Sequence, residues 1–262
     1  KDADIIIVNH SLFASELKSE NSYLPDDFIY VIDEAHHFSN VIRSQLVKDF
    51  SIQTFNDVFN FFKDSTKNSK ALCFAKYPKI FEVYEKLVIE SNVINDRLLS
   101  FFKTYYSIRS QGLEKSGYLI KKHRYKNCQE EFIDVIPNPW ELLFDIEGFE
   151  KSFISFNEII INEKEKFPYS IIIELEILKS CIKEGLSNLR SVSDSNDGII
   201  KWSSFVQKEV NPQVFFSSVP LKVNEFIYDL FLKRYSSGLF CSATLTVNEE
   251  FTYFIEKTGI NL

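Results

Sequence analysis

The stretch FIYVIDEAHH, residues 28–37, decides how the fold is interpreted, because a run of apolar β-formers ends abruptly in two acids, an alanine and two histidines. Apolar runs without alternation are typical of strands in a parallel sheet that is covered on both faces. A strand that ends in Asp33 and Glu34 places both carboxylates at the carboxyl edge of such a sheet, where open α/β folds bind ligands. The pattern therefore predicts a ligand site at this strand end.

Other apolar runs near both ends of the chain predict a mixed α/β fold. Residues 3–8 read ADIIIV, which predicts a strand, and SLFASELKS after it has the spacing of a helix. Towards the other end, IIKWSSFV and QVFFSS predict strands, residues 222–235 predict a helix, and GLFCSATL from residue 238 predicts a further strand.

The middle of the chain has the pattern of long helices. Apolar residues recur at intervals of three, four or seven from Ile80 to Phe101 and again from Ile171 to Leu189. Residues 117–140 alternate more like a hairpin, and a polar loop at residues 191–198 ends the helical zone. The simplest organisation is one α/β domain, residues 1–48 and 196–262, interrupted by a mainly helical insertion, residues 49–195.

Composition narrows the class of protein. The 262 residues carry a net charge of −7, so any nucleic-acid contact needs a local basic patch. The longest apolar runs are far shorter than the roughly 20 residues that cross a bilayer, which predicts no membrane span and a cytoplasmic protein.

The four cysteines lie more than fifty residues apart and are expected to be reduced. Because the sequence contains no methionine and opens directly into an apparent strand, we expect a piece of a longer chain.

The Asp-Glu pair suits a magnesium–nucleotide site. Mg²⁺ prefers oxygen ligands and is usually held by one or two carboxylates together with phosphate oxygens. Asp33 would hold the metal, and Glu34 would orient or deprotonate a water that attacks the γ-phosphate. The alternative is that both acids simply begin a helix, where negative side chains are favoured.

A family resemblance rests on three stretches. DEAH, residues 33–36, resembles motif II of the superfamily 2 helicases, and ADIIIVNHSLF followed by LPDDFIYVIDEAHHFSNV is similar to the DinG and XPD family. GLFCSATLT looks like motif III of that family. The resemblance implies an ATP-dependent DNA helicase whose RecA-like, parallel-sheet motor domain is interrupted by a mainly α-helical arch domain that helps to enclose single-stranded DNA.

The same resemblance implies roles for individual residues. Asp33 coordinates Mg²⁺, Glu34 activates water, and His36 contacts either motif III or the region of the γ-phosphate and so couples hydrolysis to movement. Ser242 and Thr244 are the polar partners in that coupling beside ATP. In this family an iron–sulfur cluster, where there is one, is bound upstream of the DEAH strand, so we expect none within this chain.

One family feature is missing from the sequence. No G-x-x-x-x-G-K-[ST] phosphate-binding loop occurs, since none of the seven glycines is followed by lysine. We therefore expect the 262 residues by themselves neither to bind ATP tightly nor to hydrolyse it.

The segment KKHRYK, residues 121–126, is the best candidate for contact with DNA. Basic side chains neutralise phosphates, and aromatic rings offer faces on which bases stack. The candidate residues are Lys121, Lys122, Arg124, Tyr125 and Lys126, with Tyr118 close by in the sequence. The alternative is an ordinary solvated hairpin.

Two further functions stay open at this point. The chain is a non-catalytic domain for nucleic-acid or protein interaction that retains DEAH as a relic, or it is the helicase-like part of a DinG-type exonuclease. A phosphate-binding loop upstream of residue 1 would argue against the first, and acidic exonuclease motifs upstream would favour the second.

Overall fold

The computed structural model describes residues 4–18, 24, 29–63, 69–110, 120–206, 213–233 and 237–260. Its α-helices are α1 (His10–Lys18), α2 (Phe38–Gln45), α3 (Asn56–Phe61), α4 (Ser69–Ala75), α5 (Pro78–Arg109), α6 (Cys128–Glu131), α7 (Pro139–Asn162), α8 (Tyr169–Ser193), α9 (Asn224–Ile227) and α10 (Thr252–Thr258). Its strands are β1 (Tyr30–Ile32), β2 (Lys48–Ser51), β3 (Ile120–Tyr125), β4 (Ile199–Val206), β5 (Gln213–Pro220) and β6 (Gly238–Phe240). The fold is thus mixed α/β and mostly helical.

The chain divides into two compact units. The first unit contains both ends of the chain, Lys1–Val47 and Val219–Leu262, and the second is the intervening segment Lys48–Ser218. The first boundary lies within one residue of the position expected from the sequence. The second lies more than twenty residues further along the chain than expected, because β4 and most of β5 belong to the second unit.

In the first unit, β1 and β6 pair in parallel, with Tyr30 opposite Gly238 and Ile32 opposite Phe240. Their buried side is packed with aromatic rings, centred on Phe38, which is completely buried, and on Phe231, whose ring centroid lies 4.3 Å from that of Tyr30. Ring contacts of this kind add to the stabilisation from burial. They hold α2, which begins at Phe38, against the strand pair.

Two details of the first unit differ from the sequence-based expectation. Residues 5–9 form no strand, and Ile5 and Ile7 are 79% and 91% exposed, because no described strand lies beside them to accept their backbone hydrogen bonds. β1 is covered on one face rather than two, since Val31 is 61% exposed while its neighbours Tyr30 and Ile32 are buried. The predicted helix after residue 8 is confirmed as α1.

The second unit is built on the long helices that the sequence predicts. The apolar positions of α5, from Ile80 to Phe101, and of α8, from Ile171 to Leu189, are largely buried in one large hydrophobic core. α7 packs against both helices, and the core between them is rich in phenylalanine.

A sheet that the sequence did not predict completes the second unit. Its strand order is β2-β5-β4-β3, with β2 antiparallel to β5 and β3 antiparallel to β4. The expectation of a hairpin within residues 117–140 was wrong: β3 pairs with β4, and the residues after it turn into α6. Residues 196–262 were expected to rejoin the sheet of the first unit, which was wrong for β4 and β5, because both strands belong to this second sheet.

A buried polar network fastens this sheet to α5. The Tyr105 hydroxyl lies 2.6 Å from a Glu131 oxygen and 2.8 Å from the Ser203 hydroxyl, and Arg109 pairs with Glu131 at 3.0 Å. Burial, together with the Glu131 carboxylate, raises the pKa of Tyr105 far above its usual value, so the ring stays a neutral donor. His123 on β3 contacts the same carboxylate at 3.2 Å, so Glu131 has several partners despite its burial.

The cysteines of the described chain are free thiols. Burial raises the pKa of Cys128, which keeps this thiol protonated and unreactive. None of the helices in the described part of the chain combines the length and apolar character that a bilayer span requires.

Two helix glycines give a test of the core. A methyl group added at Gly185 in α8 would lie 2.4 Å from the Phe55 ring, whereas one added at Gly148 in α7 would have no atom of the structurally described segments within 4 Å. Because Phe55 is only 2% exposed and has little room to move, we expect Gly185→Ala to lower the free energy of unfolding by about 1–3 kcal/mol. Gly148→Ala, the matched control, is expected to raise it by up to about 1 kcal/mol. Urea unfolding followed by circular dichroism checks both, and an equal gain for the two variants would contradict this packing.

Candidate functional site

The candidate site lies where the parallel strands β1 and β6 end. The pairing continues past the strands, since the Cys241 amide donates to the Ile32 carbonyl at 2.9 Å and the Ala35 amide donates to the Cys241 carbonyl at 3.0 Å. Ala35 is 1% exposed, so a small residue suits this position. These two hydrogen bonds bring the residues after Ile32 beside those after Phe240.

Three side chains meet at this edge. The Ser242 hydroxyl oxygen lies 2.7 Å from His36 Nδ1 and 3.3 Å from Glu34 Oε2, and His36 Nδ1 is 3.3 Å from the same glutamate oxygen. His36 and Ser242 are 206 positions apart in the chain. The Thr244 amide donates to the Ser242 hydroxyl at 3.3 Å, so Thr244 contacts the cluster through its backbone.

The backbone at Glu34 adopts an uncommon conformation. Its φ and ψ are 47° and 43°, in the left-handed region, where side chains other than those of glycine, asparagine and aspartate are disfavoured by about 1–2 kcal/mol. The Asp33 side chain accepts a hydrogen bond from the Glu34 amide at 2.9 Å, which supports this turn. Residues in sparsely populated conformations concentrate at functional sites, and here the turn leaves both carboxylates exposed.

The three side chains do not form a nucleophilic triad. A triad needs the nucleophile on one ring nitrogen and the orienting carboxylate on the other. Here Ser242 and Glu34 both contact Nδ1 of His36. The serine hydroxyl can donate one hydrogen bond and can also accept, so it donates to Glu34 while a protonated Nδ1 of His36 donates to it, or it donates to an unprotonated Nδ1 instead. The arrangement therefore links Glu34 and His36 to the segment after β6 through Ser242 rather than activating the serine.

A small cavity of about 60 Å³ is lined in part by His36. Its lining includes Thr244 as well as Tyr253 and Lys257 of α10. At roughly 30 Å³ per water this space holds at most a few water molecules and is too small for a nucleotide. A nucleotide at this site would bind on the open edge beside Asp33 and Glu34.

The donors at this edge fit Mg²⁺ when phosphate supplies further ligands. Asp33 and Glu34 are exposed, adjacent and free of lysine or arginine partners among the described residues. No cluster of three or more histidine, cysteine or acidic side chains that could hold a metal occurs in the described chain. One or two carboxylates completed by phosphate oxygens and water is the coordination that Mg²⁺ usually takes beside ATP.

The basic segment 121–126 divides between the two faces of the second unit's sheet. Lys122 and Arg124 are exposed on the outer face, where they lie opposite Ser204 and Trp202, and Lys126 is exposed just after the strand. The Lys122 ammonium lies 5.8 Å from the centre of the Trp202 ring. Lys121 is in β3 opposite Phe205, and Tyr118 lies outside the described residues.

The expectation that Tyr125 offers a stacking face was wrong. Tyr125 is 6% exposed, and its hydroxyl donates to the Val192 carbonyl at 3.0 Å. The strand alternation turns its ring towards the core. The half-buried Trp202 takes its place as the aromatic side chain of the outer face. The sequence holds a signal for it, a tryptophan within IIKWSSFV, but the pairing of β3 with β4 was needed to use that signal.

Comparison with known proteins gives two matches that span nearly the whole chain. The chain is 22% identical over 277 residues to the 3'-5' exonuclease DinG of Bacillus subtilis, and the alignment covers 99% of it. It is 24% identical over 278 residues to the ATP-dependent DNA helicase DinG of Photobacterium profundum, with 98% covered. The chain is similar in sequence to DinG proteins. No protein-family model matches it.

The DinG relatives are considerably longer than this chain. The alignments span 29% of the Bacillus subtilis protein and 38% of the Photobacterium profundum protein. Both relatives carry enzyme names, one of a nuclease and one of a helicase.

The site depends on the close approach of β1 and β6, which gives a test. A methyl group added at Gly238 would lie 1.9 Å from the Tyr30 ring, which is 7% exposed. We expect Gly238→Ala to push this ring from the core and lower the free energy of unfolding by about 1–3 kcal/mol. Leu239→Ala, at the adjacent and 58% exposed side chain, is the control, with a change within about 0.5 kcal/mol. Thermal unfolding of both variants measures the difference, and similar midpoints would show that the strands are not held this closely.

Proposed function

We propose that this chain is part of an ATP-dependent DNA motor of the DinG kind. The single observation that carries the proposal is the contact of Glu34 and His36 with Ser242 at the ends of the parallel strands β1 and β6. The similarity to DinG proteins over nearly the whole chain supports it independently. In this proposal the first unit is part of a RecA-like motor domain, and the second unit is the inserted arch.

The residues of the DEAH segment take distinct roles in the proposal. Asp33 holds Mg²⁺, which neutralises charge on the β- and γ-phosphates of ATP when it is bound. Glu34 orients the attacking water and accepts its proton, because its carboxylate is exposed and its backbone turn directs it away from the core.

The hydrogen bonds of Ser242 supply a physical route from hydrolysis to movement. When Glu34 is engaged with water and phosphate, its carboxylate is less available as an acceptor for Ser242, whose hydroxyl keeps its contact with His36. Because Ser242 follows β6 and Thr244 bonds to the same hydroxyl, the change reaches the segment after β6. His36, Ser242 and Thr244 are thus positioning residues for Glu34.

Contact with single-stranded DNA is proposed for the outer face of β3 and β4. Lys122 and Arg124 supply positive charge on a chain of net charge −7, and Trp202 supplies a ring beside them. Cationic side chains along a backbone and an aromatic face for bases are the usual elements of single-strand binding.

The name of the Bacillus subtilis relative favours a second candidate, in which the parent protein is a DinG-type exonuclease with this chain as its helicase-like part. The motor and the exonuclease assign the same role to the first unit only if the first unit hydrolyses ATP. Acidic exonuclease motifs in the coding sequence upstream of residue 1 would favour the nuclease.

Substitution of Glu34 gives the decisive test of the motor. In the full-length protein we expect Glu34→Gln to reduce DNA-stimulated ATP hydrolysis by about 10²–10⁴-fold, because the amide cannot accept a proton from water. Nucleotide binding should persist, since Asp33 is unchanged. Glu225→Gln, an exposed glutamate of α9 in the same unit, is the control and should leave turnover as it was. Unchanged hydrolysis in Glu34→Gln would remove this residue from the mechanism, and an inactive full-length parent would favour a relic DEAH.

The DNA-contact surface has its own test. We expect the double reversal Lys122→Glu and Arg124→Glu to weaken binding of an oligothymidine at least tenfold and to reduce the slope of log K against log salt by about 1.4, or about 0.7 per phosphate contact. Trp202→Ala should cost about 1–3 kcal/mol of binding free energy with little change in that slope. The control reverses Lys179 and Lys183, two exposed lysines of α8, which changes net charge equally. Equal losses in both double reversals would leave net charge, not this surface, as the cause.

A further inference from the structure

A shallow groove on the second unit has two partly or largely exposed aromatic side chains. The groove has a volume of about 580 Å³ and lies between α5 and the start of α7. We call it the α5–α7 groove, lined by Arg97, Asn138, Trp140, Glu141, Phe144 and Asp145. Trp140 is 40% exposed and Phe144, one helical turn further on, is 79% exposed. Side chains four apart share one face of a helix, so the two rings form one apolar surface.

Gly148 extends this surface by another turn. It follows Phe144 by four residues, lies in the interior of α7 and is exposed. Glycine destabilises a helix interior relative to alanine. An added methyl group would meet no atom of the described residues within 4 Å, so their packing gives no reason for a glycine there. A glycine on a helix surface lets another backbone approach closely.

The neighbouring helix α5 also exposes apolar side chains. Ile89 and Val93 of α5 are 64% and 53% exposed and are spaced one turn apart, with Arg97 the next residue of the same series. Arg97 forms ion pairs with Glu141 at 3.2 Å and Asp145 at 2.6 Å, both on α7. The apolar surface thus spans two helices that are tied together by these pairs.

The charge of the groove selects the kind of partner. Two carboxylates, those of Glu141 and Asp145, surround one arginine, so the lining has a net negative charge. A phosphate backbone would be repelled by this excess. A second copy of the chain would place the same carboxylates against each other. An apolar segment with lysine or arginine on its flanks satisfies both features.

We propose that the α5–α7 groove binds a basic amphipathic helix of a partner protein. Leucine-sized side chains cover Trp140 and Phe144, the helix backbone crosses close to Gly148, and its cations meet Glu141 and Asp145. The proposal does not depend on the nucleotide site, which lies in the first unit.

The test uses the 262-residue chain carrying Trp202→Phe, so that Trp140 is its remaining tryptophan. The probe is a synthetic amphipathic helix with leucine on one face and lysine on its flanks. We expect a blue shift of Trp140 emission and saturable binding. A peptide with glutamate in place of every lysine should bind at least tenfold more weakly.

Two variants locate the binding. Phe144→Ala and Gly148→Leu should each weaken binding of the lysine peptide at least tenfold, the first by removing the ring and the second by filling the approach. Circular dichroism shows whether both stay folded, and Gly148→Leu should melt no lower than its parent because leucine favours helix. Tyr169→Ala, at a 75% exposed ring of α8, is the matched control and should bind as the parent does.

Three results would overturn the proposal. The first is equal binding of the lysine and glutamate peptides. The second is Phe144→Ala and Gly148→Leu variants that bind like Tyr169→Ala. The third is a Trp140 shift that follows oligothymidine or chain concentration and is lost in Phe144→Ala, which would assign the groove to nucleic acid or to self-association.

Discussion

The candidate site depends on the backbone pairing of β1 with β6. Two hydrogen bonds beyond the strands, from Cys241 to Ile32 and from Ala35 to Cys241, decide that the DEAH segment lies beside Ser242. Without them Glu34 and His36 would be a charged turn with no partner from the other end of the chain. Buried rings on one face, above all Phe38 and Phe231, hold the strands in this register.

The second unit can interrupt this pairing because it closes its own ends. Lys48, its first residue, lies opposite Ser218, its last, in the β2–β5 pair. α8 holds this pair in place, since the side-chain amide of Asn188 donates to the backbone carbonyl of Asp49 at 2.9 Å, and the hydroxyl oxygens of Ser191 and Ser218 lie 2.7 Å apart. The entropic cost of bringing the two ends of a long connection together is thus offset by contacts within the insertion itself. Because these ends are adjacent, the insertion leaves α2 and α9 of the first unit joined as if by a short loop.

Local patterns predicted some elements well and others poorly, for identifiable reasons. The helices around Leu87 and Leu178 were predictable because 3.6-residue periodicity is internal to a helix. The apolar run at Ile5 was not a strand, since a strand also needs a neighbour. β4 and β5 were predicted as strands, but their assignment to the second unit depends on partners far along the chain. Tyr125 was misjudged and the place of Trp202 beside the basic segment was not predicted for a related reason, because which side of a strand faces the core is decided by pairing and packing.

The sequence by itself determined the chemical types at the site. These are two adjacent carboxylates, a histidine and, near the other end of the chain, a serine and a threonine within a stretch that resembles motif III of the DinG and XPD family. It also determined the helices of the second unit, because their apolar spacing is a local property. Only the tertiary structure decided that Ser242 contacts both His36 and Glu34, that Glu34 occupies a left-handed turn, and that Trp140, Phe144 and Gly148 share an exposed face. These are relations between residues distant in the chain or between a side chain and its surroundings, and they arise from packing rather than from any local pattern.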